Sequence, residues 1–158
     1  MTADDVELID VVLVSLPVEA FRRSQQHHDA LLREFALVAA DVDADRDPHV
    51  DTVPRRLLSL VSELAQQFGR FSVEPSTQLR DAIDNGVVRI DVHFRVPAAA
   101  KDAAINLGRL LDEADEYCRR GDLLTLATPS DTLAFRRRYL EEFVRQIDGA
   151  PARPWQEQ

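Results

Sequence analysis

Residues 88 to 96, VRIDVHFRV, alternate without a break, with Val88, Ile90, Val92, Phe94 and Val96 on one parity and Arg89, Asp91, His93 and Arg95 on the other. Successive side chains of a strand point to opposite faces, so a period of two describes a β-strand with one face buried and one in water. Such a strand is not stable alone. It needs a second strand beside it and apolar cover over its inner face.

Residues 6 to 16, VELIDVVLVSL, supply the second strand. The run is β-branched and apolar on both parities after Asp10, which predicts a strand covered on both faces, ended by Pro17. The cover has helical period. Residues 18 to 40 place Phe21, His28, Leu31, Leu32, Phe35, Val38 and Ala39 in one arc. Thr52 before Pro54 predicts a capped helix whose stripe, Leu57, Leu60, Val61, Leu64 and Phe68, stops at Gly69. A short helix from Ser76 to Asp84 follows, closed by Asn85-Gly86. After Pro97 an Ala-rich helix runs to Arg120, and Gly121 breaks it. LLTLA, residues 123 to 127, reads as a short strand. Thr128-Pro129-Ser130-Asp131 caps a last helix to Asp148. The expectation is an α/β fold: one domain over residues 1–148, a two- or three-stranded sheet packed with four or five helices, and an irregular Pro-rich tail at 149–158.

Charge and composition narrow the function. With a net charge of −9 the chain repels phosphate backbones and anionic membranes, which argues against nucleic acid and membrane surfaces as partners. The single cysteine, Cys118, excludes an internal disulfide and falls in the apolar arc of its helix, where a buried inert thiol is expected. MTADDVELID has neither the basic region nor the apolar run of a signal peptide, and no apolar run reaches the ~20 residues of a membrane span, so a cytoplasmic protein is expected.

Reactive motifs are scarce. His27 and His28 are adjacent, hence about 100° apart on a helix, and cannot share one metal from that helix. His28 falls mid-arc and reads as a core histidine satisfied by a hydrogen bond; His27 falls at the arc's edge beside Arg23 and Glu34. The acidic stretch 41–51 alternates Asp41, Asp43 and Asp45 as a calcium loop does, but has Arg46 where the turn needs Gly and Thr52 where a bidentate Glu belongs, so it reads as a solvated connection. Five scattered glycines form no phosphate cradle. No metal and no cofactor is expected. The last helix stands out, because its apolar arc, Phe135, Tyr139, Leu140, Phe143, Val144 and Ile147, is wider than a one-sided surface helix needs, and Arg136 points into it. Arg136, Tyr139, Phe143 and Trp155 are therefore candidate contacts for a protein partner or a second copy of the chain. If the protein is instead an enzyme or small-ligand binder, His27, Glu34, His93 and Arg136 are its candidate residues.

Three segments, HHDALLREFALVA, RLLDEADEYC and LLTLATPSDTLAFRRRYLEEFVRQIDG, resemble small, uncharacterised actinobacterial proteins of anti-sigma and anti-anti-sigma gene neighbourhoods. The resemblance implies a non-catalytic regulatory or adaptor domain of bacterial signalling, with an anti-sigma or anti-anti-sigma factor as partner. LLSLVSEL, residues 57 to 64, is similar to the start of anti-sigma kinases of the histidine-kinase-like ATPase fold. That pattern places a magnesium-binding Asn where this chain has Gln67, and its Asp-x-Gly-x-Gly box is missing, which implies a degenerate relative that does not bind nucleotide.

Overall fold

A computed structural model describes residues 6–45, 52–121, 123 and 126–156. The elements follow in the order β1 (Leu8–Pro17), α1 (Val18–Asp45), α2 (Val53–Asp84), β2 (Arg89–Pro97), α3 (Ala100–Arg120) and α4 (Ser130–Ile147). β1 and β2 pair antiparallel, Leu8 opposite Pro97 and Leu13 opposite Val92, with a register shift between Leu13 and Leu16. Ser15, in the shift, takes a positive φ of 55°. The Asp91 carboxylate accepts its N–H at 2.8 Å, so the extra residue leaves no orphaned donor there.

The alternation is realised over β2 itself, while Val88, read as its first inward residue, lies before the strand and is exposed. Val92, Phe94 and Val96 are buried with Val11, Leu13 and Leu16 of β1, while Asp91, His93 and Arg95 are exposed. β1 is not covered on both faces, however: Val12 and Val14 are only half-buried on the outer side. The sheet therefore forms one layer and the helices the other.

Two apolar clusters share the helical layer. One joins the inner sheet face to Leu79 of α2 and Phe135 of α4; the other joins Leu31 and Phe35 of α1, Leu57 of α2, and Leu110, Leu111, Ala114 and Cys118 of α3. α2 serves both, which explains the first departure from expectation. Gly69 does not end a helix, and the segments on either side of it form one 32-residue helix that also runs through Pro75. A glycine in a helix interior costs about 1 kcal/mol and a proline about 3, less than the burial of Leu57 at one end and Leu79 with Ala82 at the other contributes. The turn after it is as expected, with Gly86 at φ +66°.

Three further expectations change. α1 continues through Asp41 and Asp43 to Asp45 instead of ending at residue 40; residues 46–51 of the acidic stretch lie outside the described residues. The LLTLA strand is absent at its described positions: Leu126 N–H donates to Leu123 C=O at 2.9 Å, and both side chains pack on the second cluster. Leu124 and Thr125 are outside the described residues. Thr128 does not cap α4, whose N-cap position is Pro129.

Candidate functional site: a cavity between α1, α3 and α4

Thr128 is free of capping because its hydroxyl is used elsewhere. It donates to Asp115 Oδ1 at 2.7 Å, and the Thr128 N–H donates to the same oxygen at 3.0 Å. Arg136 donates to Thr128 Oγ1 at 3.2 Å, to Asp115 Oδ2 at 3.3 Å and to Asp112 at 2.8 Å. His27 Nε2 lies 3.1 Å from the same hydroxyl. A hydroxyl has one proton and two lone pairs. With its proton committed to Asp115, Thr128 can only accept from His27, so the imidazole carries its proton on Nε2 and, when neutral, keeps a lone pair on Nδ1.

This cluster forms the polar corner of a cavity of about 200 Å³. Its remaining wall is mostly apolar: Phe21 and Leu31 from α1, Leu107 and Leu111 from α3, Phe135, Tyr139 and Leu140 from α4, with His28 beside them. Gln25, His28, Leu107, Tyr139 and Leu140 also border a more open space of about 500 Å³ next to Phe68 and Phe94. Burial lowers the pKa of His27; Asp115 offsets part of that and Arg136 adds to it. Burial likewise lowers that of His28. Both imidazoles are thus biased toward the neutral form. Burial raises the Tyr139 phenol above its ordinary range. Among the described residues nothing hydrogen-bonds to His27 Nδ1, to the Tyr139 hydroxyl or to His28. His28 is therefore not the hydrogen-bonded core histidine that its phase suggested, and His27, read as an edge residue near Arg23 and Glu34, is the one tied into a buried network.

Of the other candidate residues, Glu34 is exposed on α1 and His93 is exposed on the outer face of β2, so neither reaches the cavity. Arg136 does meet carboxylates. The wide arc of α4 is covered by this chain on both sides: Phe143 packs edge-to-face on Phe94 at 4.9 Å, and Tyr139 stacks against Phe21, Phe135 and Phe143. Trp155 docks on its own domain, with its ring 5.9 Å from Phe135, its backbone N–H on Val14 C=O and the Arg138 guanidinium 5.0 Å from its ring. Cys118 is fully buried and burial raises its pKa, as for an inert thiol. No group of three His, Cys, Asp or Glu side chains among the described residues could hold a metal ion. No described helix is long and apolar enough to cross a membrane.

Asp115 and Thr128 escaped sequence reasoning. Asp115 stands four residues before Arg119, the spacing of an ordinary surface ion pair on a helix, yet it is 3% exposed and bonds Thr128 and Arg136 instead. Comparison with protein-family models, with curated proteins and with solved structures finds no match to this chain.

Proposed function

We propose that this domain is a non-catalytic regulatory module that binds a small amphipathic molecule in the cavity between α1, α3 and α4. One observation carries the reading: an apolar cavity, large enough for a monocyclic or short-chain molecule, is lined by His27 and Tyr139, whose Nδ1 and hydroxyl hold no hydrogen bond among the described residues. A void of about 150 Å³ already accepts benzene, so 200 Å³ suits an apolar body with a single polar head. His27 Nδ1 offers that head an acceptor and the Tyr139 hydroxyl offers a donor. The head is uncharged, such as an alcohol, phenol or amide, because Arg136 is already neutralised by Asp112 and Asp115.

Catalysis is disfavoured by the direction of the hydrogen bonds. A hydroxyl nucleophile must give its proton to the histidine, and here the histidine donates to the hydroxyl. The apolar arc of α4, once the argument for a protein partner, is filled from within. What supports a regulatory output to a protein, in bacterial cytoplasmic signalling and sigma-factor control, is the likeness of the three segments to proteins of partner-switching neighbourhoods.

Thermal melting with a panel of phenols, indoles and short-chain alcohols, followed by calorimetric titration of any hit, tests the proposal. A ligand at about 100 times its Kd adds ~2.7 kcal/mol to stability. Tyr139→Phe should leave the melting temperature of the free protein within about a degree and weaken the hit by roughly 3- to 10-fold, the worth of one hydrogen bond. A panel without a single hit, or a hit indifferent to both Tyr139→Phe and His27→Ala, would count against it.

A further inference from the structure

The two edges of the sheet are finished differently. On the free edge of β1, the Gln146 amide pairs with Val12 as another strand would, accepting its N–H and donating to its C=O, both at 2.8 Å. Trp155 N–H then takes the C=O of Val14. The free edge of β2 has no such cover among the described residues: it pairs with β1 alone. Because Val12 directs both backbone groups away from β2, its register partner His93 directs both of its own away from β1. Asp91 and Arg95, two residues either side, share that direction. An open ladder of unpaired donors and acceptors on a nine-residue strand is a template for another strand.

The order of residues along that edge fits its own copy. In an antiparallel pair about a two-fold axis at His93, Asp91 lies opposite the partner's Arg95 and Arg95 opposite the partner's Asp91, the opposite-charge pairing that stabilises cross-strand neighbours. On the inner face Val92 meets Phe94 of the partner subunit and Ile90 meets Val96 of the partner subunit, so the apolar layer continues. At the ends Val88, 77% exposed, lies against the partner's Ala98, an exposed residue here. Moving the register by two residues would set Asp91 opposite the partner's His93 or Pro97 and break both ion pairs. Arg95 already lies 3.4 Å from Asp10, with both side chains mostly exposed, and would sit between two carboxylates. We infer that β2 is a homodimerisation edge: two copies pair antiparallel about His93 into a continuous four-stranded sheet, an isologous contact that closes on itself.

Sedimentation of the full chain should show a dimer. Asp91→Arg and Arg95→Asp each place like charges opposite one another twice and should each weaken self-association at least 10-fold. Mixing the two variants should restore the dimer, because every facing pair is then of opposite sign. Asp91→Arg also removes the acceptor of the Ser15 N–H, so folding of each variant is checked first by circular dichroism; restoration on mixing then reads the contact itself, because a misfolded chain would not regain a partner. His93→Cys provides the check for a weak dimer. Directly opposed, hydrogen-bonded residues have Cα atoms about 5.5 Å apart, within disulfide range, so mild oxidation should cross-link His93→Cys and not the exposed helical control Leu37→Cys. A chain that stays monomeric while His93→Cys fails to cross-link overturns the inference. So does a dimer unaffected by both charge variants.

Discussion

α4 carries a buried carboxylate site at each end of its reach, and the two are built differently. Near its C-terminus Glu142, 0% exposed, receives Arg153 Nε at 2.7 Å and Arg145 at 3.0 Å on one oxygen, and Gln146 at 3.0 Å and the Arg153 N–H at 3.3 Å on the other. Gln146 passes the contact on to β1, and Arg89, Arg138 and Arg145 hold the carbonyls of residues 151 and 153 to 156. Every oxygen of Glu142 is occupied, and its partners are all this chain's own. Near the N-terminus of α4, Arg136, Thr128 and Asp115 are as densely bonded, yet His27 and the neighbouring Tyr139, which line a cavity, leave Nδ1 and the hydroxyl without a hydrogen bond among the described residues. A polar network that closes on itself positions backbone. One that leaves a directed valence beside an apolar void is equipped for a ligand.

The sharpest way to separate the two is to remove each carboxylate. Glu142→Ala strands two arginines and an amide, and breaking a buried pair costs about 3 to 5 kcal/mol when the survivor stays dry. Arg153 and Arg145 can reach water, so we expect about 2 to 4 kcal/mol by chemical denaturation, together with release of the tail, read as a change in Trp155 fluorescence. Asp115→Asn keeps the shape and one acceptor oxygen, and Asp112 still pairs with Arg136. Its cost should be smaller, about 1 to 2 kcal/mol, while ligand affinity at the cavity falls more than it does for Glu142 variants that remain folded. Equal losses from the two substitutions would erase the distinction.

Acid should separate the ends a second time. The folded-state pKa values of His27 and His28 lie below the ordinary 6.5, so below that pH the unfolded chain binds more protons than the folded one. Their contribution is complete above about pH 6.5 and is lost as pH falls through the lowered values. Glu142 is pushed up by burial but brought net below 4.5 by its bonds to Arg153 and Gln146, so its contribution is held until pH drops under about 4.5. Stability followed by denaturant titration should fall in two windows. Replacing both histidines with Gln should flatten only the upper one, the smallest of these effects.

The fold was legible where local period decided it. β2 was readable residue by residue because alternation and burial coincide, and α3 ended at Gly121 as its pattern implied. The α2 sequence implies two helices because a glycine signals a break only locally, while the two clusters that hold the helix together lie at its opposite ends. The extra strand at LLTLA failed because an apolar run does not say which cluster it joins. The cavity itself could not be read: His27 and Thr128 are 101 positions apart, and nothing in either segment marks the other. Arg136 was visible as a charge inside an apolar arc, and the carboxylates that answer it were not.

One property of α4 reaches further than its contacts. Arg136 at the cavity and Gln146 on the β1 backbone stand ten residues apart on one uninterrupted helix, a separation of about 15 Å along a stiff rod. A rod cannot translate or tilt at one end alone. Any ligand that shifts the axis at Arg136 and Tyr139 therefore moves the amide that completes the sheet edge, and any force on the sheet is felt in turn at the cavity, so lever and fulcrum are parts of the same helix.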